Sequence, residues 1–116
     1  MKQITILLIF LTTTHLLADV EKGKAVYAAN CAMCHDINGG MSLGPDFNIV
    51  SYTRTKEEIE AYAKDPYTLN KAFGYSANAM PTLPLEDEEF NDVAEYIDSL
   101  QPFKKWMIKG SSNKKD

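Results

Sequence analysis

Apolar residues at helical spacing mark the clearest element of the chain. Between Glu86 and Leu100, the residues Phe90, Val93, Ala94, Ile97 and Leu100 recur three or four positions apart, which predicts an amphipathic helix. Its first turn carries Glu86, Asp87, Glu88 and Glu89, suited to the positive end of a helix dipole, and Pro102 stops it. A shorter helix is predicted from Asp19 to Asn30, with Val26 and Ala29 on one face and Gly23 and Tyr27 stacked one turn apart. Thr55-Lys56-Glu57-Glu58 has the form of a capping box. The helix it opens places Ile59, Tyr62 and Ala63 together, and Asp65-Pro66 closes it. Residues 36–54, with Asn38, Gly39, Gly40, Gly44 and Pro45, read as loop. Residues 66–85 are also irregular, punctuated by Gly74, Pro81 and Pro84. A loop of about 20 residues in so small a domain needs something to organise it. Nothing alternates as a strand and nothing repeats, so the expected fold is all-α, short helices joined by long loops.

The first residues read differently. Lys2 precedes the apolar run Ile4, Ile6, Leu7, Leu8, Ile9, Phe10, Leu11, and Leu16-Leu17-Ala18 follow a Thr-rich patch. A basic start, an apolar stretch and a small residue before a polar one form the pattern of a secretory signal peptide, with cleavage expected after Ala18. The competing reading is an uncleaved anchor, but the run falls short of the roughly 18 residues that span a bilayer. The expected organisation is a signal over 1–18, one domain over 19–103, and a basic, flexible tail over 104–116.

Composition narrows the function. The 116 residues are 45% hydrophobic and 24% charged, with a formal net charge of −4. That excludes a multi-span membrane protein and a disordered chain. It also argues against generic nucleic-acid binding, which needs a basic surface to replace counterions. The charge is segregated: residues 19–100 hold 6 basic and 15 acidic side chains, whereas 101–116 hold 5 lysines against Asp116. Seven of the acids lie on the last long helix, from Glu86 to Asp98, and read as a solvated face or as a docking face for a basic partner.

The informative stretch is Cys31-Ala32-Met33-Cys34-His35. C-x-x-C-H is the attachment pattern of a c-type haem. Two thiols three positions apart can each add to one vinyl group of the same porphyrin, and the adjacent imidazole then serves as proximal iron ligand. A redox C-x-x-C would follow a strand in a βαβ unit, and none is visible. A zinc site would need further ligands, and the only other histidine is His15. A plain disulfide explains neither His35 nor the long loops.

On these residues the sequence resembles a class I monohaem cytochrome c over residues 20–101. The haem motif follows a short helix, Gly44-Pro45 comes about ten residues later, Met80-Pro81 lies in a late loop, and an amphipathic helix ends the domain. The resemblance implies that the Pro45 carbonyl accepts from the ring N–H of His35, which fixes the ring and raises its basicity. It also implies that the terminal helices cross at Gly23, Tyr27 and Tyr96. Read from the residues alone, Gly23 is either a contact glycine or the mark of a late helix start.

The other axial ligand decides the chemistry. Of five methionines, Met1 goes with the signal, Met33 lies between the two cysteines, and Met107 lies beyond the last long helix. Met80 sits in the long loop ahead of that helix and at the family's ligand position. Met41, six residues past His35, is the main rival. Arg54 is a candidate partner for a haem propionate, with a solvated side chain at a helix start as the alternative. Tyr67, Phe73 and Tyr75 are expected to wall the pocket. A His35/Met80 pair leaves no open coordination site, so the expected activity is one-electron transfer in the periplasm by a monomer that is no enzyme on its own. Its expected partners are redox proteins, with membrane contact only through the basic tail. The alternatives are a dedicated haem subunit of an oxidoreductase and a haem enzyme or gas sensor with a labile distal ligand.

Overall fold

A computed structural model describes residues 14–40 and 42–109. Most of the candidate signal and the rival ligand Met41 lie outside the described residues. Among the described residues six helices follow in order: α1 (Thr14–Asn30), α2 (Phe47–Thr53), α3 (Lys56–Lys64), α4 (Pro66–Leu69), α5 (Asp87–Ser99) and α6 (Lys105–Lys109). No strand occurs among the described residues.

The most extensive contact is between α1 and α5. It depends on Gly23, because a Cβ there would lie 2.6 Å from the Asp92 carbonyl carbon and 2.8 Å from the Tyr96 Cβ. Backbone therefore packs on backbone, and Tyr27 and Tyr96 meet beside the crossing with ring centroids 5.6 Å apart. The core that α1 and α5 share with α2 and α3 contains Phe47, Ile59, Val93, Ala94, Tyr96 and Ile97, with Cys31 at its edge. The apolar stripe expected on α5 is the buried one, with Phe90, Val93, Ala94 and Ile97 all inside. Asp92 is buried too, at 4% exposure, so the acidic face of α5 is not solvated throughout. It lies where Gly23 lets α1 come close. Burial holds its carboxyl above the usual range, and the nearby Asp19 and Glu88 charges push the same way.

The capping box of α3 is formed as its sequence predicts. Thr55 Oγ1 accepts from the Glu58 amide at 3.2 Å, and Glu58 accepts from the Thr55 amide at 2.8 Å. Two readings need correction. Residues 47–53 are helical rather than loop, because the buried Asp46 caps them by accepting from the Asn48 amide at 2.8 Å while Phe47 anchors the first turn in the core. The expected flexible tail also starts too early. Lys104 is buried, and residues 105–109 form α6 against α2.

Candidate functional site

Cys31, Cys34 and His35 share the tight turn that ends α1. The Cys34 and His35 amides both donate to the Cys31 carbonyl, at 3.1 and 2.9 Å. The turn is tied back to its helix by Tyr27, whose hydroxyl donates to the His35 carbonyl at 2.8 Å. Cys31 is buried and Cys34 half-buried, and both are free thiols. Burial, and then the neighbouring Cys34, push the Cys31 thiol up to about 11. Near neutral pH it is therefore protonated, and thioether formation would leave no buried charge.

The His35 ring is held on three sides. Its Nδ1 lies 2.9 Å from the Pro45 carbonyl oxygen. A carbonyl can only accept, so Nδ1 carries the proton and Nε2 keeps its lone pair for a metal. Phe47 stacks on the ring at 4.4 Å between centroids and 20° between planes. Gly44 packs against it so closely that an added Cβ would lie 2.8 Å from Nε2 and nearer still to Cε1 and Nδ1. Gly44 is itself fixed by its amide, which donates to the Cys34 carbonyl at 2.7 Å. The loop after the motif thus folds back to orient the imidazole.

Two thiols and one oriented imidazole within five residues, at the edge of an apolar core, fit a covalently attached haem. No cluster of three or more metal-ligating His, Cys, Asp or Glu occurs among the described residues. Met80 lies half-buried in the irregular segment between Tyr75 and α5, and Pro81 after it is exposed. Arg54 is not a freely solvated side chain. Its Nη2 donates to the Phe73 carbonyl at 2.7 Å, its guanidinium lies 4.4 Å from the Phe73 ring centroid, and Glu58 sits 3.9 Å from Nη1. Arg54 also lines a cleft of about 430 Å³ together with Pro45, Ile49, Val50 and Tyr75. Phe73 and Tyr75 pack on Tyr62 at 5.0 and 5.2 Å. Tyr67, expected in the same wall, does not pack with them and is 78% exposed to the surface or to the space haem would fill.

Sequence reasoning missed Phe47 and the hydroxyl of Tyr27. Phe47 carried a readable signal, as the first apolar residue after a candidate cap, Asp46. The bond from Tyr27 to the His35 carbonyl had none, because a tyrosine eight residues upstream reads only as core.

A small helical fold closed by a Gly-mediated crossing, with a C-x-x-C-H turn whose histidine is oriented by a Gly-Pro carbonyl, is that of a class I monohaem c-type cytochrome. Comparison with known proteins agrees. The family model for Cytochrome c matches residues 20–101. The chain is 37% identical over 98 residues to a cytochrome c6 of Thermosynechococcus vestitus, covering 78% of this chain and 79% of that one. It is 36% identical over 91 residues to a cytochrome c6 of Synechocystis, covering 75% and 70%. A cytochrome c-553-like protein of Synechocystis is 27% identical over 82 residues, covering 71% and 70%. No solved structure matches significantly. The chain belongs to the cytochrome c family and is a small carrier of electrons on a covalently bound haem c.

Proposed function

We propose that the protein passes single electrons between larger redox proteins in the periplasm, with its haem iron held by His35 Nε2 on one face and the Met80 sulfur on the other. The observation that carries this reading is the His35 ring. Its proton is committed to the Pro45 carbonyl, and Phe47 and Gly44 stop it turning. Bound through Cys31 and Cys34, haem would supply a one-electron Fe(III)/Fe(II) couple at a high potential when a thioether is its second axial ligand. The residues then need only hold still, because an axial pair that does not exchange leaves no position for substrate. Met33, between the two cysteines, and Leu43, in the loop after the motif, are each 90% exposed. They offer a partner an apolar contact, and the acidic first turn of α5 would steer a basic one. The apolar run after Lys2 supports export.

Visible and near-infrared spectroscopy of exported protein tests the assignment. Low-spin spectra in both redox states are expected, with the weak sulfur–iron band in the ferric form. Met80→Ala should keep the pigment attached, lose that band, lower the potential and admit carbon monoxide or cyanide. Met41→Ala should do none of these. If Met41→Ala alone loses the band, the axial assignment passes to Met41. Ligand binding by the unaltered protein at neutral pH would favour a gas sensor or haem enzyme instead.

A further inference from the structure

The chain beyond the family match is bolted to the domain by one buried lysine. Lys104 is 6% exposed. Its ammonium donates to the Asp98 carbonyl at 2.7 Å, to the Ser51 carbonyl at 2.9 Å and to Ser51 Oγ at 2.9 Å, and it lies 2.9 Å from the Asp98 carboxylate. An ammonium has three hydrogens and no acceptor, so these oxygens use it completely. They come from the C-terminal half of α2 and the last turn of α5, where free carbonyls favour a cation. A lysine is buried at tolerable cost only when paired this fully, and the path of the chain at residue 104 is therefore fixed.

That path determines where Lys105 goes. It opens α6, and α6 lies against α2. Lys105 lines the same cleft as Pro45, Arg54 and Tyr75. Pro45 is the residue that orients His35, so the cleft adjoins the haem motif. Both charged residues lining it are cations, and Glu58 lies near Arg54 at 3.9 Å, too far for a tight pair. A pair of cations in a partly apolar cleft calls for an anion, and haem carries two carboxylates.

We propose that Lys105, aimed by the buried Lys104, is a second cation for the haem carboxylates beside Arg54, and that its charge biases the protein toward the reduced state. The proposal rests on the haem reading above. Reduction adds one electron, supplied by an electrode in the measurement, and lowers the charge at the iron by one as Fe(III) becomes Fe(II). A fixed positive charge nearby favours the less positive state. Lys104 acts only as the positioning residue. Both lysines lie past residue 101, where the family match ends.

The test uses the full-length holoprotein at low and high salt. Lys105→Gln should lower the midpoint potential at low salt, so that the ferrous-to-ferric ratio at a fixed electrode potential falls roughly two- to fivefold, and the difference should shrink as salt rises. Lys105→Arg should restore the potential. Lys104→Met should give a similar downward shift and faster amide exchange in α6, and the double variant should shift no further than either single one. An unmoved potential in Lys105→Gln overturns the proposal, and additive shifts in the double variant overturn the positioning role. Pigmented protein with an unmoved potential removes this inference alone, whereas colourless protein removes the haem reading as well.

Discussion

The crossing of α1 on α5 is held by contact between backbones, whereas the segment from Pro66 to Leu85 is held by a few side chains. At the crossing, the Gly23 main chain meets the Asp92 carbonyl directly, and Ala94, Val93 and Ile97 are buried around it. The later segment has one short helix, α4, a turn over residues 70–74, and then irregular chain. Its fixed points are the buried Pro66 and Asn70 near its start, Tyr62 against Phe73 and Tyr75, and Arg54 bonded to the Phe73 carbonyl; beyond Tyr75 no residue up to Leu85 is buried. The first arrangement leaves no slack, because main-chain atoms cannot rotate away. The second can open locally, since few buried contacts hold it. His35 hangs from the unyielding part and Met80 from the yielding one. On the proposed ligation, a nitrogen ligand held rigidly would set the haem's place, and a sulfur ligand on a softer segment would be the one that lets go first.

The sharpest way to break that contrast is Gly23→Ala. The new methyl would meet the Asp92 carbonyl group, which is backbone and cannot step aside. The two helices would have to separate, at a cost of about 3 kcal/mol, the upper end of ordinary overpacking. Denaturant unfolding of the holoprotein measures it. A loss below about 1 kcal/mol would mean that the crossing has slack and that the contrast is wrong.

A smaller effect is expected on the softer side. Arg54→Ala removes a charge-assisted bond to the Phe73 carbonyl and the contact with the Phe73 ring. Such a bond contributes about 1.5–3 kcal/mol when well formed, and the partial exposure of Arg54 puts the expected loss near the lower figure. Its location matters more than its size. Amide exchange should accelerate around Phe73–Tyr75 and through the Met80 segment while the amides of α5 stay protected. Uniform acceleration would show that the two parts open together.

The same contrast explains which features could be read from the sequence. The α5 stripe, the Thr55–Glu58 cap and the C-x-x-C-H turn depend on residues near one another in the chain, so spacing alone revealed them. The Gly23–Tyr27–Tyr96 crossing came from family resemblance, because spacing could not distinguish a contact glycine from a late helix start. What escaped depends on partners far along the chain. The α2 helix looked like loop because its anchor, Phe47, gains its meaning from His35 and Tyr27, and its other buried residue, Ser51, from Asp98 and Lys104. Lys104 looked like the start of a solvated tail because nothing in a lysine-rich stretch shows that one member meets four oxygens.

Asp92 offers the finest probe of the tight region, because its charge sits inside a contact that leaves no room to rearrange. Burial disfavours its carboxylate, and Asp19 and Glu88 oppose it further, while Lys22 relieves it in part. The folded-state value therefore lies above the unfolded one. Below the ordinary carboxyl range both states are protonated, and the group's contribution to stability is fully present. As pH rises through the raised folded value the proton leaves, and that contribution is lost. Asp92→Asn keeps the shape without the charge, so it should be the more stable protein near neutrality, with the advantage fading as pH falls through the raised folded value and gone below the usual value of 3.8. Thermal unfolding of both proteins across that range measures the difference. An advantage independent of pH would trace the effect to packing, and a variant less stable at neutral pH would show that the carboxylate has found a partner that outweighs its burial.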